Sequence, residues 1–224
     1  MLTLQALVAS YHDAPLFQPL DLHVERGEVI AVVGRSGCGK STLLQLLAGL
    51  KTPDQGQILL DGREIAGQAG HASLLPQGYP LLPWLSLLDN IILPLTLSGH
   101  TQASAAALAE PHLARFGLEH AKPLLPHQAS GGMQQRAALL RTFLHPTELM
   151  LLDEPFSALD AITRSELHTW LLTVLPQFSK TVFLVTHDID EALLFADRLL
   201  VFVRGSIQVI ERKATEKSAI LTMV

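Results

Sequence analysis

The feature that most restricts this chain is a short apolar run, Val29 to Val33, that opens into a glycine-rich turn and then a helical pattern from Lys40. A continuous apolar run of that length fits a strand covered on both faces, as in a parallel sheet lying between helices. The turn reads Gly34-Arg35-Ser36-Gly37-Cys38-Gly39-Lys40-Ser41-Thr42, which has the spacing G-x-x-x-x-G-K-[ST]. Glycines at these places let successive backbone N–H groups turn inward around phosphate oxygens, and the start of the following helix adds partial positive charge. Lys40 is then placed to reach the terminal phosphates of a nucleotide, and the Ser41 hydroxyl to ligate Mg²⁺.

The rest of the chain supports such a sheet. Leu2–Ala9, Leu20–Val24 and Gln57–Asp61 read as strands, and Lys40–Leu50 as a helix. Prolines recur from Pro76 to Pro94 around the apolar stretch Leu81-Leu82-Pro83-Trp84-Leu85, and helical patterns follow from about Leu88, over Gln102–Phe116 and over Gly131–Leu144. This block reads as a helical insertion. Strand–helix alternation then returns: Leu149–Leu152, Ala161–Leu175, Lys180–Thr186, Glu191–Ala196, and the pair Leu199–Val203 and Ile207–Ile210. Such alternation implies a mostly parallel α/β sheet with helices on both faces. Lys213–Val224 has no clear period and reads as a loose tail.

Composition sets the outer bounds. With 224 residues, 48% of them hydrophobic, the chain can bury a sizeable core. Only 17% are charged, below the usual quarter or so, which hints at apolar surface covered by a partner. A net charge of −5 argues against a nucleic-acid protein working through bulk positive charge. The lone Cys38 excludes an internal disulfide and a metal site built from cysteines. The N-terminus lacks the build of a signal peptide, and no apolar run reaches membrane-spanning length. The expectation is a soluble cytoplasmic chain.

Two further constellations carry chemistry. Asp153 and Glu154 end the apolar run Leu149–Leu152, at the strand edge where ligands of parallel sheets bind. There Asp153 can hold Mg²⁺ and Glu154 can polarise an attacking water. An acidic pair alone is most often a solvated loop; its place after a strand, in a chain carrying a phosphate loop, changes that reading. The second is Ser130-Gly131-Gly132 before a helix, another N-terminus able to take an anion. One phosphate loop suffices within a chain, so a site on the insertion suits a nucleotide held by another copy.

With these motifs in this order the chain resembles the nucleotide-binding subunits of ABC transporters over almost its whole length. The resemblance implies a P-loop NTPase, RecA-like α/β core with an antiparallel β subdomain, the core spanning 1–77 and 146–224 and an inserted helical subdomain 78–145. It implies ATP and Mg²⁺ as ligands, with Gln77 contacting the metal and the attacking water. Ala129-Ser130-Gly131-Gly132-Met133, followed by Gln134-Gln135-Arg136, is similar to the family signature, although the family usually starts it with leucine. Ser157-Ala158-Leu159-Asp160 resembles the loop that couples two sites of a dimer. His187 resembles the switch histidine on the γ-phosphate, and Tyr11 the ring that stacks on adenine. No regulatory domain is expected after the last strands.

By the same resemblance the expected partners are a second copy in a head-to-tail homodimer, an integral permease docked at 77–90, and indirectly a periplasmic or lipid-anchored solute-binding protein, with no nucleic acid. The expected location is peripheral, at the cytoplasmic face of the inner membrane. Leu82–Asn90 together with the signature looks most like the importer branch for nitrate, sulfonate, taurine and pyrimidine thiamine precursors. A soluble non-transport ABC ATPase and the ATPase of an exporter with a separate permease are the competing readings. The former usually carries two cassettes or a long coiled coil, and a P-loop kinase would lack the signature and His187.

Overall fold

The structure is a computed structural model that describes residues 1–11, 14–78, 80–157, 159–178, 180–203, 205–212 and 220. In chain order its elements are β1 (Leu2–Val8), β2 (Ser10–Tyr11), β3 (Ala14–Pro15), β4 (Leu20–Val24), β5 (Val29–Gly34), α1 (Lys40–Leu47), β6 (Gln55–Leu60), β7 (Arg63–Glu64) and β8 (Ala72–Leu75). Next come α2 (Leu87–Leu97), α3 (Gln102–Arg115) and α4 (Gly131–Leu144), then β9 (Leu149–Asp153), α5 (Ala161–Phe178), β10 (Thr181–Val185), α6 (Ile189–Phe195), β11 (Arg198–Val203) and β12 (Ser206–Glu211). They form two compact units: residues 1–74, 148–154 and 178–224 in one, and 75–147 and 155–177 in the other.

The first unit is built on a six-stranded sheet, ordered β12-β11-β5-β10-β9-β8. β5 lies parallel to both β10 and β11, and β10 parallel to β9, while β12 returns antiparallel to β11. Every residue of β5 is buried. Ile30 and Val32 join one cluster with Leu43, Leu44, Leu46 and Leu47 of α1, whereas Ala31 and Val33 join another with Ala192 and Ala196 around α6. Alternate side chains thus enter two different cores, which is why the run is apolar at every position. A four-stranded antiparallel sheet, β4-β1-β6-β7, closes over the first cluster.

α1 stops three residues short of the Lys40–Leu50 pattern because Gly49 adopts φ +70 and a Cβ there would lie 2.1 Å from the Gln68 carbonyl oxygen. It is a left-handed helix stop that another residue could not fill. β8 has no strand signal in the sequence, yet it forms an edge of the six-stranded sheet beside β9. Of the tail, only Ile220 lies within the described residues, and it is buried in the α6 cluster.

The second unit is helical. Ser86, Thr101 and Ser130 cap α2, α3 and α4, each hydroxyl accepting a backbone N–H of the first turn. α5 belongs to this unit: residues 155–177 group with the helices, whereas the sequence analysis assigns 146–224 wholly to the core. The reason is aromatic packing. The Trp170 ring meets Phe116 edge-on at 4.3 Å between centroids, Phe143 at 5.2 Å and His112 at 6.5 Å. Burial and the nearby Arg115 charge hold the His112 imidazole below its usual range. Among the described residues no helix is long and apolar enough to cross a membrane.

Trp170→Ala removes the ring at the centre of this cluster and is expected to destabilise the protein by about 3–5 kcal/mol, read as a lower urea midpoint.

Candidate active site

The loop between β5 and α1 is shaped by its backbone. Gly34, Gly37 and Gly39 all have positive φ, and Gly39 stands at the N-cap of α1, where it brings no side chain to cap the first-turn N–H groups. No acidic residue occupies that turn, leaving its donors and partial positive charge for an anion. The Lys40 ammonium, on a buried side chain, donates to the carbonyls of Gly34 at 2.8 Å and Arg35 at 2.9 Å. It also faces the half-buried Cys38 thiol at 4.0 Å. Arg35, Ser36 and Ser41 are exposed. A cavity of about 310 Å³ is lined by Leu16, Gly37, Gly39, Lys40, Ser41 and Thr42. Leu16 escaped the sequence reading; its only signal there is a place just past Tyr11.

Strand register brings the acidic pair and the histidine to the same edge. Val185, at the end of β10, is paired with Val32 of β5 on one side and Asp153 of β9 on the other. Asp153 is buried and lies close to the Ser41 hydroxyl. Burial pushes its carboxyl above the usual range and the neighbouring Glu154 charge adds to this, while the Ser41 hydroxyl and the Lys40 charge oppose it. Glu154 sits at φ +49, unusual for a side-chain-bearing residue. Its N–H donates to the Val185 carbonyl at 3.0 Å, pinning the turn. Its carboxylate lies 3.5 Å from His187 Nδ1, and the His187 side chain is 67% exposed. Lys40, Ser41, Asp153, Glu154 and His187 therefore gather at one sheet edge.

The other predicted residues lie in the helical unit, except Tyr11, whose ring falls outside the described residues. Gln77 is exposed in a turn after β8. Ser130 accepts from the Met133 N–H at 3.3 Å; among the described residues nothing stands within 4 Å of a Cβ at Gly131, and one at Gly132 would meet Leu159 Cδ2 at 3.8 Å. Asp160 Oδ1 accepts from the N–H groups of Ile162 and Thr163 at the start of α5. The Thr163 hydroxyl and these backbone donors hold the Asp160 carboxyl below its usual range. Ala158 of the coupling loop lies outside the described residues. In the 81–86 loop Trp84 is 71% exposed, while the wholly buried Asn90 side chain clamps the backbone beneath it. Asn90 Oδ1 accepts from Leu82 N, and Nδ2 donates to the carbonyls of Leu82, Leu85 and Ser86.

The residues present fit both ligands that the sequence suggests. The β5–α1 loop has the donors and the space for phosphate, and the adjacent Ser41 hydroxyl and Asp153 carboxylate are hard oxygen donors. Such a pair suits Mg²⁺, which takes its remaining ligands from water and phosphate. Fold and site together define a P-loop nucleotide-binding protein.

Comparison with known proteins narrows this further. The sequence profile described as ABC transporter matches residues 17–157. The chain is 41% identical over 203 residues to the formylaminopyrimidine import ATP-binding protein ThiZ of Halalkalibacterium halodurans, covering 90% of this chain and 79% of that one. It is 39% identical over 215 residues to the taurine import ATP-binding protein TauB of Pseudomonas aeruginosa, covering 94% and 82%. The solved dimer of the ATP-binding cassette MJ0796 with ADP and Pi superposes with a TM-score of 0.85 at 26% identity, covering 96% of this chain and all of that one. The chain belongs to the ABC transporter family.

A Cβ at Gly34 would lie 2.7 Å from Phe202 Cβ, because β11 pairs with β5 at that residue. Gly34→Ala is expected to weaken ATP binding roughly tenfold or more, measured by titration with a fluorescent nucleotide.

Proposed function

We propose that this cassette, an ATPase of the importer class, works as a head-to-tail pair of identical copies that drives a membrane permease at the cytoplasmic face of the membrane. The observation that carries the reading is the convergence of Lys40, Ser41, Asp153, Glu154 and His187 on adjacent strand ends. In this reading the phosphates of ATP lie in the loop Gly34–Thr42, with Lys40 against the β- and γ-oxygens. Ser41, Asp153 and Gln77 would hold Mg²⁺, which when bound neutralises phosphate charge. Glu154 accepts a proton from the attacking water, and His187, 3.5 Å away, orients the γ-phosphate and that carboxylate. Tyr11 stacks on adenine.

Ser130, Gly131 and Gly132 close the site from the second copy, supported by the Ser130 cap and the space around Gly131 among the described residues. Asp160, which organises the start of α5, holds the loop that meets the opposite site. ATP then binds the closed pair better than the open one, and hydrolysis releases it. The exposed Trp84 and the half-buried Leu81, Leu82 and Leu85 offer an apolar surface to a short permease helix. A solute-binding protein feeds the permease from outside. The likeness to ThiZ and TauB favours a small polar solute of the nitrate, sulfonate, taurine or pyrimidine thiamine-precursor class.

Glu154→Gln tests the chemistry. Loss of a positioned base is expected to lower kcat about 10²–10⁴-fold, with ATP now holding the protein as a dimer in gel filtration; wild-type turnover would remove Glu154 from the role. Trp84→Ala is expected to abolish ATP-driven uptake in vesicles carrying the permease while the isolated subunit keeps its ATPase rate, and normal uptake would exclude the docking surface.

A further inference from the structure

His187 is held from both sides by a hydrogen-bond relay that ends on a buried carboxylate. Asp188 caps α6, its Oδ1 accepting from the N–H groups of Asp190 at 2.8 Å and Glu191 at 3.4 Å. Glu191 stands three residues after this cap, the spacing at which a capping-box glutamate would return to the cap's own N–H. It does something else. The Asp188 N–H donates to Thr186 Oγ1 at 3.0 Å, and the Thr186 hydroxyl donates to Glu191 Oε2 at 2.6 Å. Thr186 is thus inserted into the box as a relay. Thr186 and Glu191 are 2% and 6% exposed, whereas the His187 side chain between these anchored residues is 67% exposed.

The geometry points to Glu191 as a positioning residue for His187, acting through the Thr186 hydroxyl; this rests on the catalytic role of His187 proposed above. A hydroxyl whose proton and lone pair are both committed has one orientation. The Thr186 N–H is itself tied to the Val32 carbonyl of β5 at 3.2 Å, and the Ala192 N–H to the Asp188 carbonyl at 3.1 Å. The peptide carrying His187 is therefore fixed against the same strand that launches the phosphate loop. Without the relay the imidazole still exists, but its distance to Glu154 is no longer set. Small misplacements of a catalytic group cost large factors in rate.

Thr186→Val keeps the side chain's shape and removes both relay bonds, and Glu191→Ala removes their anchor. Thr186→Ser and Glu191→Gln each keep a usable partner. Measured on the whole protein with Mg-ATP, the first two variants are expected to lower kcat about tenfold with KM for ATP within twofold of wild type. The latter two restore most of kcat. In a His187→Ala background, measured by single turnover, Thr186→Val is expected to add less than a further twofold. Equal losses from Thr186→Val in both backgrounds, or a KM that rises as kcat falls, would show a general structural role and overturn the proposal. A normal kcat in Thr186→Val when His187→Ala is impaired would overturn it alone. A normal kcat in His187→Ala would overturn it together with the catalytic role of His187.

Discussion

The parallel register of β5, β10 and β9 is the constraint on which the site depends. Because the strands run the same way and are paired residue for residue, their C-terminal ends release three chain-distant segments at one edge. Residues 34–42, 153–154 and 186–188 share no local sequence relation, and only this pairing brings them together. Backbone cost is concentrated at the same edge. Glu154 is held in a left-handed conformation and Gly34 leaves no room for a Cβ. Such conformations persist where the surroundings over-determine them; here a fully buried strand on each side of β10 does so.

A second device recurs: an exposed side chain above a buried polar side chain whose bonds tie down the backbone. Trp84 stands over Asn90, which bonds to Leu82, Leu85 and Ser86. His187 stands over the Thr186–Glu191 pair. In each case the exposed side chain stands on backbone whose neighbours are fixed. Buried amides and carboxylates suit this work because leaving any of their bonds unmade is costly, so one loop geometry is strongly preferred.

The signature region shows how much substitution this permits. Ala129 takes the place where the family usually has leucine, yet the local structure uses its carbonyl, which accepts from Gln134 Nε2 at 3.2 Å. Ser130 still caps α4, and Arg136 still braces the turn by donating to the Gly132 and Phe116 carbonyls. The bonds that shape the turn are independent of that side chain, so the smaller residue leaves the helix start in form.

By itself the sequence determined what is local. The β5–α1 loop follows from nine consecutive residues, since glycine freedom and helix polarity act within them. The caps of α2, α3 and α4 follow from a hydroxyl three residues before the N–H it takes. Strands buried on both faces were legible as unbroken apolar runs in β5, β9 and β10. What needed tertiary structure is what depends on neighbours distant in sequence. β8 is a strand because β9 offers it an edge, although its own residues carry no strand pattern. α5 joins the helical unit because Trp170 meets Phe116 and Phe143, and helical period alone cannot say which core a helix enters. Leu16, Asn90 and Glu191 matter through the atoms they touch, and those contacts exist only once the chain has folded.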